Sequence, residues 1–493
     1  MLKKSKALEY LAVLQTGTTS PKRQLEDQLA QNVLNPSLGT RKLLIREGQA
    51  FEETFDQTTE YINSYQQYFE IIPPNQSISD FKTMYELKIL FDQCIANKFD
   101  KKHEYNYSDR VYFGTIESSN LNALIMPVPE SDEFLIIFNR PMWEGLQILS
   151  FCISASTKYQ NESVEFDHDE ANKYFPLFNK LLEGILLQKE LPYFFSDNEV
   201  LNDQLRSSMW TQLHDALDAF VLGHEYAHFL RSHVMQAIKL IPSSMGIHRL
   251  RSHCYDWWME YDADMTGLDL SVFRFIDNYE KVLAKNSTVK LSDLEQQVLR
   301  NRHIQLALEG SLLFLYFLHV LESFKYRIFS KTSTHPPTLL RIAALRGQIF
   351  QQISNEKTYN FVMNEVYRVI DRLFYFWSNS SMLPNIPSDN TNLSAEFTLQ
   401  SGIFSQLFER SHFDVLTDLY RLRDFLSKKK GTFIKNMVEM IGVVPPSWLE
   451  VFEHMNKRNK GDRLDTEIVC QMLENCIDVL EKNAECWQAR RPQ

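Results

Sequence analysis

The stretch FVLGHEYAHFLRSH, residues 220–233, holds His224, Glu225 and His228 in the spacing His-Glu-x-x-His. On an α-helix, residues i and i+4 lie one turn apart on the same face. Two imidazoles so placed can bind one metal ion from one rigid element. Glu225 then stands beside the first of them, where a carboxylate can take a proton from a metal-bound water. A five-residue pattern can also arise by chance in a chain with 13 histidines, so its surroundings decide. From about Ser208 to Leu240 the only Gly or Pro is Gly223. Leu213, Leu217, Phe220, Val221, Ala227, Leu230 and Val234 recur mostly at three- and four-residue intervals. The spacing predicts a long buried helix, ended by Pro242. Two buried imidazoles without partners are costly, and a metal removes that cost.

A zinc site of this kind needs a third protein ligand and a fourth position left for water. The metzincin pattern requires Gly at 231 and His at 234; Arg231 and Val234 exclude it. The better candidate lies in WWMEYDADMTGLDL, residues 257–270, where Glu260 and Asp264 are again i and i+4 on an expected helix. Glu260 is the expected third ligand. Asp264 is expected to accept a hydrogen bond from a ligand histidine and fix its tautomer. Such carboxylates usually mark a solvated helix face, but Trp257, Trp258, Met259, Tyr261 and Ala263 make this helix apolar and point to burial.

With these residues in place, the chain resembles the gluzincin metallopeptidases and, within them, the HtpX and CAAX prenyl protease family. His233 extends the first motif to HEYAHFLRSH, similar to that family's His-Glu-x-x-His-x-x-x-x-His. STHPPTLLRIAAL, residues 333–345, resembles its Ser-x-His-Pro-Pro-x-x-x-Arg-Ile element. LNALIMPVPESDEFLIIFNRPMWEGL, residues 121–146, resembles the strand and hairpin that precede the zinc helix. The resemblance covers about residues 106–350 and implies a zinc-dependent endopeptidase. In it His224, His228 and Glu260 hold one Zn²⁺, Glu225 is the general base, and an edge strand around Asn122 and Ala123 takes an extended peptide substrate. The chain departs from many family members in having no transmembrane segments between the motifs, and in a long insertion at about 150–207.

For THPPTLLRI two roles stay open. Thr334 or His335 would cap a helix with the prolines in its first turn. In the catalytic alternative, His335 or Arg341 reaches the cleft as an oxyanion donor. Arg341 could instead pair with Asp264 and tie the motif helices together, which is the preferred reading for that residue.

Composition fits a globular enzyme of two or three domains: 493 residues, 44% hydrophobic and 23% charged, with 34 Phe, 21 Tyr and only 15 Gly. A net charge of −11 argues against a nucleic-acid or anionic-membrane binder. The six cysteines form no Cys-x-x-Cys pair and no disulfide framework, which suits a cytoplasmic protein. The N-terminal apolar run is interrupted by Glu9 and does not read as a signal peptide. SLLFLYFLHVL, residues 311–321, is too short to span a bilayer and reads as a core helix, so no integral membrane segment is expected.

The expected architecture is α+β and predominantly helical. A zincin-like core at 106–350 has a small antiparallel sheet, with strands near 111–117, 121–128 and 134–139, and the zinc-binding helices. Helical regions flank it at 1–105 and 351–493, the latter broken by a polar loop at 378–394. EFDHDE, 165–170, reads as a solvated acidic loop, and SKKKGTFIKN, 427–436, as a solvated turn. A second function class remains beside the peptidase: a gated or inactive peptidase-fold interaction or sensor protein, with a regulatory partner on the terminal helical regions.

Overall fold

Asp203 begins the helix that carries the motif. Its carboxylate accepts hydrogen bonds from the backbone N–H of Leu205 and Arg206, two of the donors a helix start leaves without partners. The computed structural model describes residues 5–16, 78–98, 110–116, 123–160, 163–187, 189, 191, 200, 202–231, 233, 257–285, 292–325, 335–353, 355–380, 399–408, 410–429, 449, 452 and 465–489. In chain order its main elements are α1 (Lys6–Thr16), α2 (Ile78–Lys98), β1 (Val111–Ile116), β2 (Ala123–Pro127), β3 (Phe134–Asn139), α3 (Arg140–Ala155), β4 (Thr157–Gln160) and β5 (Ser163–Phe166). They continue with α4 (His168–Leu186), α5 (Gln204–Leu230), α6 (Trp257–Lys285), α7 (Asp293–Lys325), α8 (Thr338–Gln352), α9 (Glu356–Ser380), α10 (His412–Leu426) and α11 (Thr466–Ala489). The protein is mostly helical with a small sheet.

The chain falls into two compact units, Met1–Gln147 and Ile148–Gln493, with the division inside α3. In the first unit, β1, β3 and β2 lie side by side with β3 in the middle. β2 and β3 form an antiparallel hairpin, while β1 runs parallel to β3 on its other side. The sheet is therefore mixed, and the antiparallel expectation holds for the hairpin alone. The short connection between the neighbouring strands β2 and β3 favours their antiparallel pairing; β1 and β2 are not neighbours, so the connection between them, of the same length, does not set the direction of β1 against β3. Ala7 and Leu11 of α1 pack against Val128, Leu135 and Ile137 to form the core here.

The second unit is built on α5, which lies against both α6 and α7. All three are long and apolar where they meet. Phe220 of α5 packs on Phe314 of α7 with ring centroids 5.9 Å apart, and burial of each such ring stabilises by roughly 1.5–3 kcal/mol. Small residues set the closest approaches. A Cβ built on Gly310 of α7 would meet the backbone of Ala216 at 2.4 Å, and one on Gly267 of α6 would meet the backbone nitrogen of His224 at 2.8 Å. Gly223, which interrupts the helical pattern of the motif, faces Gly267 at that second crossing.

The apolar run 311–321 is part of the 33-residue α7. By length and composition its Asp293–Ser323 portion could cross a membrane, but 89% of its apolar window is buried inside the protein. Two local readings are corrected. The hairpin β4–β5 lies within the insertion, and EFDHDE is not a loop: it ends β5 and starts α4, with the Asp167 carboxylate accepting from the N–H of Asp169 and Glu170. α5 begins before Ser208 and ends at Leu230 rather than near Leu240. Residues 234–256, including Pro242, lie outside the described residues, as do 381–394 of the polar loop and 430–436 of the basic cluster.

Candidate metal centre

Two helices bring three ligand atoms together. His224 and His228 stand one turn apart in the last turns of α5, and Glu260 lies in the first turn of α6. His224 Nε2 and His228 Nε2 are 3.3 Å apart, and each is 3.7 Å from a different carboxylate oxygen of Glu260. All three side chains are buried, and together they could hold a metal ion. The Gly223–Gly267 crossing is what lets this happen. Without Cβ atoms at that point, α6 comes near enough to α5 for one glutamate to reach both imidazoles.

Hydrogen-bonding logic constrains which atoms face the triangle. His224 Nδ1 lies 3.0 Å from Asp264 Oδ1, an obligate acceptor, so Nδ1 carries the proton and Nε2 presents a lone pair. His228 Nδ1 lies 3.0 Å from His233 Nδ1, and when His228 donates in that contact its Nε2 lone pair faces inward. Glu260 Oε2 is buried without a hydrogen-bond donor. In that tautomer three acceptors converge, an arrangement whose cost a cation would remove. Burial works against a charge on His224, but the Asp264 contact outweighs it and moves the pKa up. Burial, reinforced by His224 and His233, drives His228 well below the ordinary range.

Arg341, in the first turn of α8, makes two parallel hydrogen bonds to Asp264, at 2.7 and 2.6 Å. Burial alone would raise the Asp264 carboxyl; the guanidinium overrides that and holds it down at about 2. Arg341 also stands 3.7 Å from Glu260 Oε2. Its side chain is only 7% exposed.

Glu225 is half-buried, and desolvation pushes its carboxyl up to about 7, with Glu260 adding to the rise and His224 and Arg341 opposing it. His335 is exposed, and its Nε2 lies 3.5 Å from Glu260 Oε1. It does not cap α8. Pro337 is the N-cap residue, in extended backbone, and both prolines precede the first helical residue, Thr338. The ring of Pro337 disfavours helical backbone at Pro336 and so delays the helix start. Thr334 lies outside the described residues.

Of the strand residues expected to bind substrate, Asn122 lies outside the described residues. Ala123 opens β2, an edge of the three-stranded sheet among the described residues. Asp262 and Arg231 were not singled out by sequence. Their signal is a third carboxylate within Glu260-Tyr-Asp262-Ala-Asp264. On an apolar helix, a carboxylate two residues from the ligand points elsewhere and needs its own partner. Asp262 finds His233 at 3.3 Å and Arg231 at 3.4 Å. No protein-family model matches this chain, and neither a curated protein nor a solved structure is detectably similar to it.

Proposed function

We propose that this protein is a zinc-dependent endopeptidase with a zincin-like core, in which His224, His228 and Glu260 hold the ion and Glu225 moves the proton. The observation that carries the reading is the ligand triangle with edges of 3.3, 3.7 and 3.7 Å. Tetrahedral coordination with ligands at about 2.0–2.1 Å gives edges of about 3.3–3.4 Å. Two imidazoles and one carboxylate, with no thiolate and too few oxygens for Ca²⁺ or Mg²⁺, are a donor set suited to zinc. When bound, Zn²⁺ supplies Lewis acidity, lowering the pKa of a water toward about 7 and polarising a carbonyl.

The chain's own groups divide the remaining work. Glu225 is adjacent to a ligand, partly open to solvent, and has a carboxyl raised to about 7, so near neutral pH it can both accept a proton from water and release it to a leaving amine. Arg341 is committed to Asp264 and serves by holding that carboxylate ionised beneath His224. His335 is an exposed imidazole whose Nε2 lies 3.5 Å from Glu260 Oε1, which makes it the better candidate to donate to a developing oxyanion. The substrate class that suits this chemistry is an extended peptide or unfolded protein.

Purified protein should contain one Zn²⁺ per chain by elemental analysis and should cut an unfolded protein such as reduced casein. Glu225→Gln should retain the zinc and lose hydrolysis by about 10²–10⁴-fold, as expected for removal of a general base. Zinc without cleavage by the wild type would transfer the protein to the gated or inactive class. Absence of zinc affinity would end the metal reading altogether.

A further inference from the structure

We propose that His233, Asp262 and Arg231 form a relay that holds His228 in its metal-binding tautomer. The inference rests on the metal reading above and deepens it. In a continuing helix, His233 would lie five residues beyond His228 and about 140° round the axis, pointing away from it. The helix instead ends at Leu230, with Arg231 as its C-cap, and His233 returns so that the two rings stand 5.1 Å apart with Nδ1 atoms at 3.0 Å. His233 is fully buried.

The proton positions follow in sequence. With Nε2 of His228 turned to the metal, its Nδ1 carries the hydrogen and donates to His233 Nδ1. A neutral His233 then has its own hydrogen on Nε2, the atom 3.3 Å from Asp262 Oδ2. Asp262 is held by Arg231, whose Nε lies 3.4 Å from the same carboxylate oxygen and also donates to Thr266 Oγ1 at 3.0 Å. Every tautomer in the chain is fixed by the carboxylate at its far end. Reversing any one of them would set two N–H groups, or two lone pairs, face to face. His233 is thus a positioning residue, acting on the metal through His228.

Zinc affinity, measured by competition with a chromogenic chelator, tests this in wild type, His233→Leu and His233→Asn. The leucine fills space but accepts nothing, whereas the asparagine can place its carbonyl oxygen near the former Nδ1. His233→Leu should bind zinc roughly 10- to 100-fold more weakly and alter the visible spectrum of the Co²⁺-substituted protein. His233→Asn should recover affinity to within about tenfold of wild type. Melting temperatures of the metal-free proteins separate this from a general folding defect, because the relay predicts an affinity loss larger than any change in metal-free stability. Equal zinc affinity in wild type and His233→Leu, or an asparagine variant as weak as the leucine, would overturn the relay while leaving the metal centre standing. A wild type without zinc affinity would overturn both.

Discussion

The two histidines of the candidate metal centre sit on one helix, one turn apart, yet they are supported in opposite ways. His224 is backed by a short arm in which Asp264 touches the imidazole directly and Arg341 closes on that carboxylate with two hydrogen bonds. His228 is backed by a long arm in which a second imidazole stands between the ligand and its carboxylate, and the terminating Arg231 is 39% exposed. The short arm places the Asp264 carboxylate, itself paired with Arg341, directly against His224 in a buried site. The long arm delivers orientation through an interposed ring, with its carboxylate farther from His228. Charge sets how strongly a ligand donates and orientation sets where it points; here the two functions are divided between neighbouring turns.

The largest test of that division removes the two arginines. Arg341→Met leaves the Asp264 carboxylate buried without its partner, which should cost about 3–5 kcal/mol of stability in urea unfolding of the metal-free protein. Arg231→Met, at a partly exposed pair, should cost less than about 1 kcal/mol. Similar losses from the two would show that the arms are equivalent.

A smaller effect is expected from prising the ligand helices apart. An added methyl at Gly267 meets the His224 backbone at 2.8 Å, and backbone cannot step aside as a side-chain tip can. Gly267→Ala should cost about 1–3 kcal/mol by overpacking and weaken zinc binding, with the short arm suffering first because the clash lies at His224. Gly347→Ala in α8 adds a methyl that meets nothing within 4 Å. It should be neutral or stabilising by up to about 1 kcal/mol through helix propensity. A neutral Gly267→Ala would mean that the crossing does not govern the site.

The finest comparison exchanges one carboxylate for an amide in each arm. Asp264→Asn should weaken zinc binding by about 10- to 100-fold and Asp262→Asn by less than about tenfold, because the interposed imidazole dilutes the second change. Chelator competition reads both, and the reverse order would break the assignment of charge to the short arm.

The meeting of His224, His228 and Glu260 could be read from spacing because helical periodicity fixes which residues share a face, and because two apolar helices bearing such groups have to bury them together. The contact between Arg341 and Asp264 was accessible by the same reasoning, since a buried carboxylate calls for a cation. The His233 contact was not, because it depends on α5 ending at Leu230, and the apolar pattern runs on past that point to Val234. The β4–β5 hairpin escaped notice because four-residue strands offer too few alternations for a period of two to stand out. α4 was hidden for another reason: Pro176 lies inside it, against ordinary propensity. The parallel pairing of β1 is a long-range choice made by the fold, with no local signature.

Tyr261, the residue after Glu260, donates a hydrogen bond to Asn483 of α11 at 2.6 Å, and Lys482 lies over the ring of Trp257 at 4.3 Å. The consequence is one of timing. When Tyr261 is made, its partner is still 222 residues from being made, a wait on the order of ten to forty seconds at ordinary rates of synthesis. Through that interval the helix bearing Glu260 lacks this brace. The candidate metal centre is therefore braced only late in synthesis, after most of the chain has already been made.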